Sequence, residues 1–396
     1  MLKRSLAAAA SAGVLLTSAL PAPARADDKP LPLPLLAHLP FYPRTTIPAA
    51  DRPEPLLQQG RQIEATYSYQ GRSHRLRDFL ARSSTLGYLV LRHDAIVDER
   101  YFSGHTAASR FNSWSVGKSI TSAAVGAAIA DGHIGSVDDP VTRYVPELRG
   151  TAYDGVRLRD VLHMASGHKY DETDYSNPTK GSTATTIRMI FGTSLTTQAR
   201  EAVRERPPGT RWNYDSMNTF VLGWVVAKAT GRPLSAYVRD RIWRPAGMAA
   251  SMLMGRDYAG NDIGYCCYHT TVRDFARFGL LYLRNGRAGG RQVLPAQWVR
   301  DSTHSTEPYL QPGHLTPDKP DSPENAFGYG YQWWLGDRDR DRGDYTAVGI
   351  LGQFVYVSPK DGVVIVKVSE DLNSAVHQAE ALHAFRAVAD TVTGRR

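Results

Sequence analysis

The chain has 396 residues, 42% of them hydrophobic and 22% charged, with 34 Gly, 24 Pro, 2 Cys and a formal net charge of +8. That balance is too apolar for a disordered chain, no Gly-X-Y period runs through it, and two cysteines cannot build a disulfide scaffold. The basic excess is scattered rather than gathered into a stripe, which excludes an obvious nucleic-acid partner, and the length accommodates one large core with an inserted subdomain.

In chain order, residues 1–26 read as a leader. Lys3 and Arg4 precede an apolar run at 6–20, and Ala24-Arg25-Ala26 places small residues where a signal peptidase reads them. The expectation is a signal peptide cleaved after Ala26 and a periplasmic or secreted protein. No later stretch reaches membrane-span length, so no stable membrane span is expected. Residues 27–58 then carry eight prolines, from Pro30 to Pro55, which excludes regular helix there and predicts an extended arm.

Two β-rich runs, 86–91 and 95–101, flank the polar Arg92-His93-Asp94 and predict a hairpin. Residues 115–130 are small and apolar at helical spacing. Helices are also predicted at 156–164, at 219–230, and at 273–284 behind a Thr271-x-x-Asp274 cap. A long proline-rich loop covers 304–325, and the alternating charges of 337–342 cancel one another. A second hairpin, at 354–357 and 363–368, precedes a helix at 373–392. Strands at both ends with helices between them predict an α/β (α+β) fold. Its antiparallel sheet is built from both chain ends, flanked by helices, and interrupted by a mostly helical insert.

Several motifs are decoys. Ser115-Val116-Gly117-Lys118-Ser119 contains the Gly-Lys-Ser of a phosphate loop, but Asn112 stands where the first glycine must be. His163 and His168, with Asp171, Glu172 and Asp174, look faintly metal-like and read better as scattered surface residues; no metal and no cofactor is expected.

Ser-x-x-Lys is the more informative reading. Positions i and i+3 share a helix face, so Ser115 and Lys118 can meet, and the helix N-terminus favours negative charge developing beside the serine. A neutral lysine can take the serine proton if burial lowers its pKa. The same motif recurs as Ser166-Gly167-His168-Lys169, in a polar loop rather than on an apolar helix. A second segment, 207–216, places Tyr214 and Ser216 just ahead of the 219–230 helix. A third, Ala347-Val348-Gly349-Ile350, precedes the C-terminal hairpin with a glycine that permits close approach.

In this order and spacing the three segments resemble the serine β-lactamase and penicillin-recognising superfamily. The resemblance spans roughly residues 80–390 and is nearest to the class C-like esterases, DD-peptidases and 6-aminohexanoate-dimer hydrolases. It implies a β-lactamase/transpeptidase-like fold, with sheet parts at 81–146 and 255–396, a helical subdomain at 147–254 and an arm at 27–80. By the same resemblance Ser115 is the acylated nucleophile, Lys118 its proton acceptor and Tyr214 a relay to the leaving group. The backbone N–H groups of Ser115 and Ile350 form the oxyanion hole beside Gly349. Ser216 replaces the family asparagine, and Ala347 stands where many members have Lys or His, so Lys118 becomes the base and Tyr214 a neutral relay. β-Lactamase activity is expected to be weak or absent.

Tyr170, Tyr175, Trp333 and Trp334 are candidate substrate contacts. The adjacent Cys266 and Cys267 can form a vicinal disulfide or remain two buried thiols, and neither is assigned catalysis. The reading is an exported serine hydrolase of small linear amides or esters, a monomer or homodimer. A DD-peptidase or β-lactamase, an esterase without amidase activity, and a non-catalytic sensor on the same fold remain alternatives.

Overall fold

The computed structural model of the chain describes residues 43–337 and 342–395. The leader, the first part of the proline-rich segment and most of the 337–342 charge run lie outside the described residues.

Eight strands form the main sheet. Their order is Gly328–Tyr329, Trp334–Leu335, Tyr345–Gly349, Gln353–Ser358, Val363–Ser369, Thr85–Arg92, Ala95–Tyr101 and Leu57–Gln58. Neighbours are antiparallel except the last pair. Both predicted hairpins are present, and the two chain ends meet where Val363–Ser369 pairs with Thr85–Arg92, Ile365 opposite Val90. Every residue of Val363–Ser369 is buried. That explains a continuous apolar run in place of alternation, because helices cover both faces of the sheet.

On one face lies Ser374–Thr393, whose Phe385 ring packs against Phe354 and Tyr356 at 5.4 and 5.6 Å. On the other lies Val272–Leu283, started by Thr271, whose hydroxyl accepts from Asp274 N as the capping pattern predicts. This helix approaches so closely that a Cβ on Gly279 would sit 2.6 Å from Val364 Cγ1. A glycine is therefore required there by packing.

Between the two halves of the sheet the chain is largely helical. Val116–Ala130 is buried along nearly all its length, and its alanines and glycines let neighbours close in; a Cβ on Gly126 would overlap the Trp298 ring. Ser216–Thr230 begins three residues earlier than the apolar pattern predicts. Asp215 caps it by accepting from Met217 N and Asn218 N, and Gly231 ends it at φ 67°. The helix predicted at 156–164 is only Leu158–Leu162.

A second sheet, unforeseen from sequence, orders Arg44–Ile47, Met252–Gly255, Tyr268–Thr270 and Phe111–Asn112. It fastens the proline-rich stretch to the body and holds the chain just ahead of Ser115. Beyond the proline-rich stretch, the rest of the arm forms a hairpin, Thr66–Tyr69 with Arg72–Arg75, and leads into the helix Leu76–Arg82, whose Phe79 and Leu80 enter the core. The 304–325 loop is anchored by buried Leu310 and Leu315, and by the Asn325 amide bridging Thr316 and Lys319.

Candidate active site

Ser115 lies where the strand Phe111–Asn112 turns into the helix Val116–Ala130. Ser113 N donates to Tyr268 O at 2.7 Å, which pins this turn to the smaller sheet. Trp114 takes φ 44°, a left-handed conformation uncommon for a bulky side chain, and Ser115 follows at φ −69° as the helix N-cap. The helix N–H groups thus begin directly behind the serine hydroxyl. Gly117 is explained by packing, because a Cβ there would meet the Tyr268 ring at 2.5 Å and Ser113 Oγ at 2.9 Å. The Gly-Lys-Ser triplet has no phosphate role to fill.

Lys118, one helical turn on, is 1% exposed. Its Nζ lies 2.9 Å from Ser115 Oγ, 3.0 Å from Ser216 Oγ and 3.3 Å from the Tyr265 carbonyl. Burial pulls its pKa down to about 8, with the Glu172 and Asp215 carboxylates acting in the opposite direction.

Hydrogen-bond accounting shows where the lone pair falls once the amine gives up a proton. The Tyr265 carbonyl can only accept. Ser216 Oγ donates its hydrogen to Glu172 Oε1 at 2.7 Å, so towards Lys118 it also accepts. As an ammonium Lys118 donates to all three oxygens, Ser115 Oγ included; once neutral it keeps two N–H groups for the Tyr265 carbonyl and Ser216 Oγ, and its lone pair is left facing Ser115 Oγ. The arrangement is that of a general base poised on a serine.

Tyr214 comes from the loop ahead of Ser216–Thr230. Asn213 anchors that loop, its N donating to Met164 O at 2.7 Å and its Nδ2 to Tyr170 O at 2.8 Å. Trp212 and Trp334 flank the phenol ring at 6.0 and 5.7 Å. Burial first, then Glu172, raises the Tyr214 pKa, and Ser115 lies close enough to oppose that shift. The phenol stays protonated near neutrality. Lys118 Nζ stands 4.9 Å from the Tyr214 ring centroid, so nucleophile, amine and phenol converge.

The strand Tyr345–Gly349 closes the site. A Cβ on Gly349 would fall 2.8 Å from Ser113 O and 3.0 Å from Ser115 N, so only glycine admits this approach. Ile350, the next residue, lines the cleft together with Ser115. Ala347 is buried in the strand, and among the described residues the cleft wall holds no Lys, Arg or His side chain.

The structure distinguishes the remaining candidates. Tyr175 and Ser216 line the cleft, a space of about 570 Å³ including its open mouth. Tyr170 does not; its hydroxyl pairs with Thr185 Oγ1 at 3.0 Å and its ring sits beside His168 at 5.3 Å. Trp333 is a correction as well. It is 0% exposed and packed among Phe278, Tyr282 and Tyr345, because strand alternation turns it into the core while Trp334 faces Tyr214.

Sequence reasoning missed Glu172, which it placed on the surface. It is 8% exposed, accepts from Ser216 N at 2.7 Å and from Tyr175 O–H at 3.3 Å, and burial raises its pKa against the pull of Lys118. Only its position between Tyr170 and Tyr175 hinted at a role. His168 instead pairs with Asp215 at 2.9 Å, and Asp174 turns to Ser176. Among the described residues no three His, Cys, Asp or Glu side chains gather as a metal site. The second tetrad stays apart, with Lys169 exposed. Cys266 and Cys267 are bonded to each other and line the cleft, Cys267 at φ 71°.

The chain is similar to known proteins along most of its length. A family described as Beta-lactamase matches residues 74–389. The 6-aminohexanoate-dimer hydrolase of Paenarthrobacter ureafaciens is 30% identical over 302 residues, 74% of each chain. Among solved structures, the "Putative 6-aminohexanoate-dimer hydrolase from Bacillus anthracis" superposes with TM-score 0.78 at 22% identity, covering 89% of this chain and 92% of the other. The D-stereospecific amidohydrolase from a Streptomyces species gives TM-score 0.56 at 19% identity, covering 78% and 97%. At those identities the two structures speak for the fold.

Proposed function

The chain belongs to the Beta-lactamase family and is a serine hydrolase of that fold, and on that premise we propose that it cleaves small linear amides or carboxylic esters through an acyl-enzyme on Ser115. The observation that carries this reading is the lone-pair accounting at Lys118. Buried against three oxygens, two of which can only accept from it, the amine in its neutral form turns its lone pair to Ser115 and can receive that proton.

The proposed steps use these groups in turn. Lys118 takes the hydroxyl proton as Ser115 Oγ attacks the substrate carbonyl. The oxyanion forms beside the Ser115 and Ile350 backbone N–H groups, where Gly349 has let the strand come close. Tyr214, held neutral, passes a proton towards the leaving amine or alcohol, and Lys118 restores it. Water then attacks the acyl-enzyme with Lys118 again as base. Glu172 holds Ser216 in the orientation that leaves the amine lone pair for Ser115.

The substrate class draws support from the 6-aminohexanoate-dimer hydrolase relative and from a cleft wall without Lys, Arg or His among the described residues. A penicillin or D-alanyl carboxylate would find no cationic anchor at Ala347. Export is part of the reading, supported by the leader at 1–26 and by a Cys266–Cys267 bond that suits an oxidising compartment.

The test is hydrolysis of a p-nitrophenyl acyl ester, a linear aminohexanoate dimer and a chromogenic cephalosporin by wild type and Ser115→Ala. Turnover of ester or dimer that vanishes in Ser115→Ala, with acyl adduct mass on Ser115, is the expected result. Efficient cephalosporin turnover overturns the substrate class, and activity surviving in Ser115→Ala overturns the mechanism.

A further inference from the structure

Tyr265, Cys266 and Cys267 line one wall of the cleft, and hydrogen bonds hold the backbone of the segment from Gly264 to Tyr268. The Gly264 carbonyl accepts from Thr121 Oγ1 at 2.6 Å and the Tyr265 carbonyl from Lys118 Nζ at 3.3 Å. The Cys267 carbonyl accepts from Gly255 N at 2.9 Å and the Tyr268 carbonyl from Ser113 N at 2.7 Å. Between these anchors stand Cys266 and Cys267, joined to each other, 8% and 3% exposed, and lining the cleft that holds Ser115. The left-handed backbone at Cys267 turns the pair out of the plain extended path of the strand that follows.

A bonded pair of sulfurs has no hydrogen-bond donor, is polarisable, and cannot rotate as two separate side chains. Beside it the cleft carries Trp114, Met189 and Ile350. Those side chains make dispersion contacts with methylene groups, while hydroxyls such as Ser182, Thr183 and Thr186 line other parts of the cleft.

We propose that the Cys266–Cys267 disulfide is a specificity-determining wall of the acyl pocket, which selects substrates with an extended apolar chain and loses that selectivity when reduced. The inference rests on the hydrolase reading above. Opening the wall requires a dithiol. One S–S bond forms in the reductant as the Cys266–Cys267 bond breaks, and two electrons and two protons leave two free thiols. Those thiols turn independently, bring weak S–H donors into the cleft, and no longer present one fixed surface.

The experiment measures kcat and KM for p-nitrophenyl acetate, butyrate and hexanoate. It compares the full chain as purified, after dithiothreitol with alkylation and mass to count opened thiols, and after reoxidation. Cys266→Ser/Cys267→Ser supplies a bond-free reference should the native bond resist the reductant. In the oxidised protein kcat/KM is expected to rise with chain length. Reduction or the double substitution is expected to shrink the hexanoate-to-acetate ratio about tenfold, mainly through KM, the scale on which a pocket discriminates one or two methylenes. Reoxidation restores the ratio in wild type.

An equal loss on acetate and hexanoate would show a merely structural bond and overturn the proposal, as would an unchanged ratio in the bond-free protein. Two alkylatable thiols before any reductant would overturn it too. An oxidised wild type that turns over neither the esters nor the linear aminohexanoate dimer would instead overturn the hydrolase reading.

Discussion

Ser115-Val116-Gly117-Lys118 and Ser166-Gly167-His168-Lys169 spell the same motif and fold into opposite environments. In the first, a helix brings Lys118 Nζ to 2.9 Å from the serine oxygen and buries it, so the amine sheds its charge near pH 8. In the second, the chain turns at Gly167, φ 78°, and Lys169 is exposed to solvent rather than buried against the serine. The motif is only as good as the burial around it and the helix that brings its two ends together.

The sharpest way to break this contrast is to remove each nucleophile in turn. Ser115→Ala is expected to lower kcat on esters by about 10⁴-fold or more, measured by p-nitrophenolate release. Lys118→Met should lower kcat/KM by roughly 10²–10⁴-fold, whereas Lys169→Met should stay within a few-fold of wild type. Equal losses in the two lysine variants would erase the distinction drawn here.

Gly349→Ala tests the neighbouring backbone. The new Cβ collides with Ser113 O and with Ser115 N, and the expected loss is about 10²–10³-fold in kcat, with thermal unfolding checked to separate misfolding from a misplaced oxyanion site.

The smallest effect lies in the pH profile. Because the neutral amine is the base, kcat/KM should rise with pH and level off above an apparent pKa of about 8. Glu172 and Asp215 hold that pKa up, so Glu172→Gln should shift the rising limb to lower pH while reducing the plateau through a misoriented Ser216. A limb that moves upward, or does not move, would show that Glu172 does not act on Lys118.

Burial alone does not make a lysine catalytic, as Lys367 demonstrates. It is fully buried in the main sheet, with its pKa drawn down to about 7, yet its Nζ bonds Ser369 Oγ at 2.8 Å and the carbonyls of Ser83 and Gly352. Its role is structural, in tying the turn after Gly349 to the neighbouring strands.

The local features of this protein were legible in the sequence because short-range physics decides them. The Thr271 cap, the two hairpins, the apolar helix behind Ser115 and the i, i+3 meeting of serine and lysine all depend on residues within a few positions of each other. The resemblance of three spaced segments carried the assignment of Tyr214 and the fold. Tertiary structure decided everything that joins distant segments. It put Glu172 under Ser216, sent Trp333 into the core and Trp334 to Tyr214, moved Tyr170 off the cleft, and closed Cys266 on Cys267 at the substrate wall. None of these leaves a period or a cap in the sequence. A carboxylate in a polar loop looks the same whether it ends in water or beneath a helix N-terminus. The packing of one segment on another chooses between them, by removing water from the group and supplying its partners.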